Sequence, residues 1–239
     1  MSNSVDPKEL LAAGAHFGHR PSRWHPKMAP YIHGVKGDVH IIDLVKTAVN
    51  LEQALEVVTK NAASGKEILF VGTKRQAQAP IREAAESVSQ PYVVERWLGG
   101  MLTNWQTMSG RIKKLKKLEE QMASGELEAK YNKLEVQRFQ EEIDRLNHIF
   151  GGVKSISGTP GLVFVVDVKR EQTAIQEARK LNVPVIAIAD TNVDPTGIDF
   201  VIPANDDAIK TIDYVTKKIA AAVEAGKAVQ KSQTKDKES

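Results

Sequence analysis

The sequence predicts an open, doubly wound α/β domain interrupted by one all-helical insertion. Three observations carry this. Short apolar runs rich in β-branched residues, EILFVG (67–72), GLVFVVDV (161–168) and PVIAIAD (184–190), are bounded by Gly, Pro or Asp. Runs without polar alternation are strands covered on both faces, as in a parallel sheet. Helix-length amphipathic segments separate them, and strand–helix alternation defines the α/β class. From Trp105 to Phe150 the alternation stops, and apolar residues recur at steps of mainly three and four, the spacing of a helix-pair seam.

Taken in order, helical patterns cover 43–63, 74–87, 171–181 and 206–225. The last opens with NDDAI, where Asn205 or Asp206 is placed to cap the helix and acids meet its positive end. YVVE (92–95) and DFVIP (199–203) are shorter strand candidates. In the insertion, apolar positions 105, 108, 112, 115 and 122 are separated by Ser124–Gly125 from 136, 139, 143, 146 and 150. This reads as an antiparallel coiled-coil hairpin reaching roughly 25–30 Å at 1.5 Å per residue. Two ordinary helices packed on the sheet are the alternative. The expected organisation is a discontinuous α/β domain (1–104 and 151–225), a hairpin at 105–150, and a polar, Lys-rich tail at 226–239 expected to be disordered.

Hydrophobic content of 41% and charged content of 26% in 239 residues suit a soluble globular chain with a sizeable core. No apolar stretch reaches membrane-spanning length, and MSNSVDPKELL lacks the basic and apolar regions of a secretory signal. Without cysteine, thiolate chemistry, disulfides and Cys-based zinc sites are excluded, in keeping with a cytoplasmic protein. Net charge is only +3, but the cations are clustered. RIKKLKK (111–117) holds five cations and no acid, and Arg20, Arg23, Lys27 and Lys36 fall in an acid-free stretch at 20–36. In helical register Ile112, Leu115 and Leu118 form the seam, which leaves Arg111, Lys113, Lys114, Lys116 and Lys117 exposed without i,i+4 acids before them. Such a surface attracts a polyanion.

Other candidate chemistry is weaker. ILFVGTKRQAQ resembles a phosphate-binding strand–loop–helix, with Lys74 and Arg75 opening the helix. It has one glycine where the nucleotide-hydrolysing motif needs two around four residues. Five of six His lie between 16 and 40, and His16 with His19 has ligand spacing if helical. Gly14, Gly18 and Pro21 oppose a helix there, so these His are read as bonding backbone or RNA, and no metal or other cofactor is assigned. Asp167, Asp190 and Asp194 fall at expected strand ends, where α/β enzymes place active sites; turn-forming and capping roles account for them. RWLGGMLTNW (96–105) gathers two of the three Trp around a Gly pair. It reads as a joint between the sheet and the helical insertion, with Thr103 or Asn104 as helix cap.

Several blocks together resemble one family. GAHFGHRPSRWHPKMAPYI (14–32), GDVHIIDLVKT (37–47), ILFVGTKRQA (68–77), RWLGGMLTNW (96–105), IADTNVDP (188–195) and IPANDDAI (202–209) are similar to the bacterial-type second protein of the small ribosomal subunit. The resemblance spans about residues 7–225. It departs at Gly161, where the family usually has Asp, and at His25, where it commonly has Asn. It implies a flavodoxin-like α/β domain with a protruding coiled coil, and a non-catalytic, ribosome-bound role without membrane or small-molecule substrate. The implied partners are small-subunit rRNA, contacted between head and body, and other small-subunit proteins. Among those is the large first protein of the subunit, which recruits mRNA. Late joining in assembly is also implied. The rRNA contacts expected on residues and resemblance together are Arg20, Arg23, Trp24, Lys27 and Tyr31 in the Gly- and Pro-rich loop. Lys74, Arg75, Arg96 and Asn104, with the RIKKLKK cations, complete the set. Two other functions compete. An enzyme at the strand ends needs a free ligand pocket, and a coiled-coil adaptor needs partners that bind through 105–150.

Overall fold

The structure, a computed structural model, describes residues 5–235. A first helix, α1 (Pro7–Ala13), is capped by the Asp6 carboxylate, which accepts from Lys8 N. Strands β1 (Ile32–Lys36) and β2 (Val39–Ile42) form an antiparallel hairpin that the apolar patterning did not predict. Its turn is legible afterwards: Gly37 and Asp38 both hold positive φ (57° and 60°), as two-residue hairpin turns require.

The main body alternates as expected. Its elements are α2 (Leu44–Ala63), β3 (Ile68–Val71), α3 (Arg75–Ser87), β4 (Tyr92–Val93), α4 (Trp105–Ala123), α5 (Glu126–Lys130), α6 (Lys133–Phe150), β5 (Leu162–Val166), α7 (Gln172–Lys180), β6 (Val185–Ala189), β7 (Phe200–Pro203) and α8 (Ile209–Lys235). The five strands β4-β3-β5-β6-β7 form one parallel sheet in that spatial order. Counted along the chain this is 2-1-3-4-5, the flavodoxin-like doubly wound order.

Both faces of the sheet are covered, which is why its strands lack polar alternation. Ile68, Phe70, Leu162, Phe164, Val166, Ile186 and Ile188 face a layer built from α1, α2, α3 and α8. Phe70 and Phe164 meet there edge to face, with centroids 5.7 Å apart. Leu69, Val71, Val163, Val165, Val185, Ala187 and Ala189 join the opposite cluster with α4, α6 and α7.

The insertion is rooted in that second cluster. Met108, Ile112, Leu115 and Leu118 of α4 and Ile143, Leu146 and Phe150 of α6 are buried in the same apolar mass as the sheet face. Polar ties join the two helices: Lys114 to Glu142 at 2.6 Å and Asn147 to Glu119 at 2.7 Å. The start of α6 is different, because Tyr131 and Leu134 beside it are exposed. A capping box of Asn132 and Glu135 begins that helix.

One boundary needs correction. The polar composition after residue 225 predicts disorder, yet α8 continues to Lys235. Packing extends the helix: a Cβ on Gly226 would lie 2.5 Å from the Thr59 carbonyl oxygen and 2.6 Å from Ala62 Cβ, so α8 and α2 touch closely there. The Lys227 ammonium then donates to the Val88 carbonyl. The rest of the expected tail, 236–239, lies outside the described residues.

Candidate nucleic-acid interface

Three groups of expected contact residues come from three parts of the fold, and the structure treats them differently. The first lies at the carboxyl ends of β3, β5 and β7. Gly72 lets β3 turn into α3, where a Cβ would stand 3.0 Å from Ile81 and 3.1 Å from Ala77. Thr73 donates through N and Oγ1 to Glu171 Oε1, at 2.9 and 2.5 Å. Glu171 is buried, and burial raises its carboxyl pKa despite the Thr73 hydrogen bonds. The place where a phosphate would meet this loop therefore holds a carboxylate of the chain itself.

Lys74, expected as an rRNA contact, is engaged within the chain. Its ammonium does not point outward toward a phosphate. It lies 2.7 Å from Asp206 Oδ1, 2.7 Å from Asp207 Oδ1 and 3.4 Å from Asp167 Oδ2, with 13% side-chain exposure. Burial works against its charge, and Asp206, with Asp207 and Asp167, outweighs burial and raises its pKa. Asp206 in turn is pushed up to about 7 by burial and by Asp167 and Asp190, against Lys74. Asn205, not Asp206, caps the turn into α8, accepting from Asp207 N and Ala208 N. Arg75, one residue on, is exposed.

The second group is the loop from His16 to Tyr31. Its first residues lie along β2: Gly18 N donates to the His40 carbonyl, His40 N to the His19 carbonyl and Ile42 N to the His16 carbonyl. Gly18 is required by space, since a Cβ would come within 2.7 Å of Thr191 Cγ2. Thr191 straps the loop to the end of β6, accepting from His19 N through Oγ1 (2.8 Å) and from His25 N through its carbonyl (2.8 Å). So held, Arg20 and Arg23 are exposed, and the Trp24 ring lies 5.2 Å from that of His40 with 38% of its surface open. Lys27 is exposed but paired with Asp194 at 2.9 Å and Thr196 Oγ1 at 2.6 Å. The Thr196 hydroxyl, then Lys27, hold the Asp194 carboxyl far below the usual range. Tyr31 is half-buried against the second apolar cluster.

The third group is RWLGGMLTNW with α4. Trp97 is buried and its Nε1 donates to Glu177 Oε1 at 3.0 Å. Gly100 N (2.7 Å) shares that oxygen; Leu102 N (3.0 Å), Thr103 N (3.1 Å) and Thr103 Oγ1 (3.1 Å) reach Oε2. Five donors thus wrap one carboxylate on α7. Burial opposes its charge, and the Thr103 amide, the Trp97 indole and the other amides outweigh that and lower its pKa. Gly100, at φ 88°, supplies the left-handed backbone this wrap needs. Glu177 was not singled out in the sequence. The available signal was an acid beside Ala174, Ile175 and Ala178 on the buried side of its helix.

Arg96 and Asn104 remain exposed at the two ends of the block. Asn104 precedes α4 without a side-chain cap to its amides, accepting instead from Thr107 Oγ1 at 3.0 Å. Arg111, Lys113, Lys114, Lys116 and Lys117 are all exposed. Among the described residues only Lys114 of these five has an ion-pair partner, Glu142.

The strand-end lysine and carboxylates of this α/β sheet are tied to one another and are not arranged as a nucleotide-cleaving site. The comparisons with known proteins agree. The model of the family described as Ribosomal protein S2 matches residues 10–226. A small ribosomal subunit protein uS2 from Chloroflexus aggregans is 49% identical over 96% of this chain and 96% of its own length. The same-named protein from Rhodopseudomonas palustris is 50% identical over 90% of this chain, which spans 64% of that longer relative. The chain belongs to the Ribosomal protein S2 family. That family is structural, not enzymatic. No described helix is long and apolar enough to cross a membrane.

Proposed function

We propose that this chain is a structural constituent of the small ribosomal subunit that binds rRNA through two surfaces. One is the loop presenting Arg20, Arg23 and Trp24; the other is the outer face of α4 with Arg111, Lys113, Lys116 and Lys117. The observation that carries the reading is the state of these α4 cations, exposed and without ion pairs among the described residues. Unneutralised cations in a row release counterions when they meet a phosphate backbone. Trp24 adds an open ring on which an unpaired base stacks. Arg75, Arg96 and Asn104 extend the surface, and Lys74 leaves it.

The names of the relatives support the subunit assignment. The resemblance set out above supports a site between head and body, late entry into the assembling subunit, and a role in seating the large first protein. The α4–α6 insertion is then an arm fixed at its root to the sheet, with Tyr131 and Leu134 exposed at its far turn. The test is sedimentation with small subunits across a salt series. Association at low salt that falls steeply as salt rises is expected. A protein that stays in the supernatant at low salt refutes the proposal.

A further inference from the structure

The carboxyl edge of the parallel sheet divides by charge. Its strands run in the spatial order β4-β3-β5-β6-β7. Beyond β6 and β7 stand acids, Asp190, Asp206 and Asp207, and the loop cations Arg20 and Arg23 rim the same cleft as Asp190 and Asp207, so the two signs offset. Beyond β4, β3 and β5 stand Arg96, Arg75 and the pair Lys169 and Arg170, all exposed. None of these four has an ion-pair partner among the described residues. The acids interspersed with them are engaged elsewhere: Asp167 by Lys74 at 3.4 Å, Glu95 by Arg82 at 3.1 Å, and Glu171 by the Thr73 amide at 2.9 Å. We propose that Lys169 and Arg170, with Arg75 and Arg96, form a third contact site for an RNA phosphate backbone, laid across the ends of β4, β3 and β5. The site rests on the rRNA-binding reading given above, and adds to it two residues that stand in no basic run of the sequence.

Arg170 is preset for this task. Its Nε donates to Thr73 Oγ1 at 2.9 Å, and Thr73 is itself fixed on Glu171. The turn that delivers it is fixed as well. Asp167, at φ 70°, accepts from Arg170 N through Oδ1 at 3.1 Å and through its carbonyl at 3.2 Å. The guanidinium acts on Glu171 through space, beyond ion-pair range. Both Nη groups are therefore left without a protein partner among the described residues. A guanidinium held at Nε presents them as a fork that matches two phosphate oxygens.

Spacing and surroundings favour a backbone over a free nucleotide. Neighbouring strands lie ~4.8 Å apart, so the ends of β4 and β5, on either side of β3, stand about 10 Å apart. A short run of consecutive phosphates covers that distance. A terminal phosphate would need the amides where α3 begins, and the Thr73 amide already donates to Glu171.

The test is filter binding of the full-length protein to in-vitro-transcribed small-subunit rRNA over a salt series. Lys169→Ala/Arg170→Ala is expected to weaken binding roughly tenfold at low salt and to lower the log–log salt slope by about 1.5. Lys66→Ala/Lys180→Ala removes two exposed cations from the opposite edge of the sheet and is expected to change neither. Arg170→Lys keeps the charge but not the fork, so the slope should hold while affinity falls about threefold. All four side chains are exposed, and thermal melts matching the wild type confirm that the variants fold. Wild-type affinity and slope in the Lys169/Arg170 variant overturn the site, as does an equal loss in the opposite-edge variant. Arg170→Lys at full affinity overturns the preset fork. Failure of the underlying ribosomal reading looks different, because the wild type itself then does not bind the rRNA, and the site falls with it.

Discussion

Lys74, beside Arg75 where α3 begins, and the cations midway along α4 look alike in the sequence, yet the fold gives them opposite surroundings. Lys74 sits at 13% exposure among three carboxylates drawn from residues 167, 206 and 207. It neutralises acids that the doubly wound topology converges on the strand ends. The α4 cations stand on a helix whose other side is buried against the sheet, and the nearest acids in sequence begin at Glu119. Cation count is therefore a poor guide to an RNA surface. What matters is whether the tertiary structure supplies internal anions first.

The comparison sharpens with a buried charge of the opposite sign, Glu177, which has only neutral donors around it. Its loss should have the largest effect. Glu177→Ala leaves the Trp97 indole and the Gly100 and Leu102 amides without their acceptor, and is expected to cost about 3–4 kcal/mol, since each orphaned donor costs about 1–3. Urea unfolding measures it; a cost below about 1 kcal/mol would mean that water replaces the carboxylate. Lys74→Met should follow, destabilising by about 3 kcal/mol at pH 7.5, the lower end for breaking a buried pair. The loss should shrink at pH 5, because Asp206, pushed up to about 7, is then mostly protonated and needs no partner. The same variant should keep its RNA affinity per folded molecule, and a marked loss would return Lys74 to the interface.

Replacing Lys113, Lys116 and Lys117 together by Ala should do the reverse. Stability should move by no more than about 0.5 kcal/mol per site, while the salt dependence of rRNA binding loses a slope of about 2–3, near 0.7–0.9 per phosphate contact. An unchanged slope would sink the α4 surface. The smallest effect concerns His19, which stands beside Asp190 and Asp207. Its folded pKa is raised by Asp190, with Asp206 and Asp207 adding, so its stabilisation is fully present below the unfolded value near 6.5 and fades as pH rises through the folded one. Wild type and His19→Gln should therefore differ most in acid and converge in alkali, as paired thermal melts across pH can show.

Much of this was legible in advance. The three all-apolar runs became β3, β5 and β6 within a residue or two at each end, because burial on both faces removes polar alternation. Ile112, Leu115 and Leu118 were identifiable as seam from spacing alone, and all three are buried. The β1–β2 hairpin was less visible, since its strands are half-exposed and too short to show a pattern. The end of α8 was misjudged because the polar, Lys-rich composition after residue 225 reads locally as disorder. In the fold Gly226 lets α2 approach and the helix continues.

By itself, then, the sequence determined the alternation of strands and helices, the apolar faces, and the row of cations on α4. These are periodic, local properties of the chain, set by which side chains avoid water. Only the tertiary structure decided that Lys74 is neutralised, that Glu177 gathers RWLGGMLTNW, and that His19 meets Asp190 and Asp207. Those partners lie 74–188 residues apart. Pairings of that kind depend on where a parallel sheet brings its strand ends together, which no local pattern records.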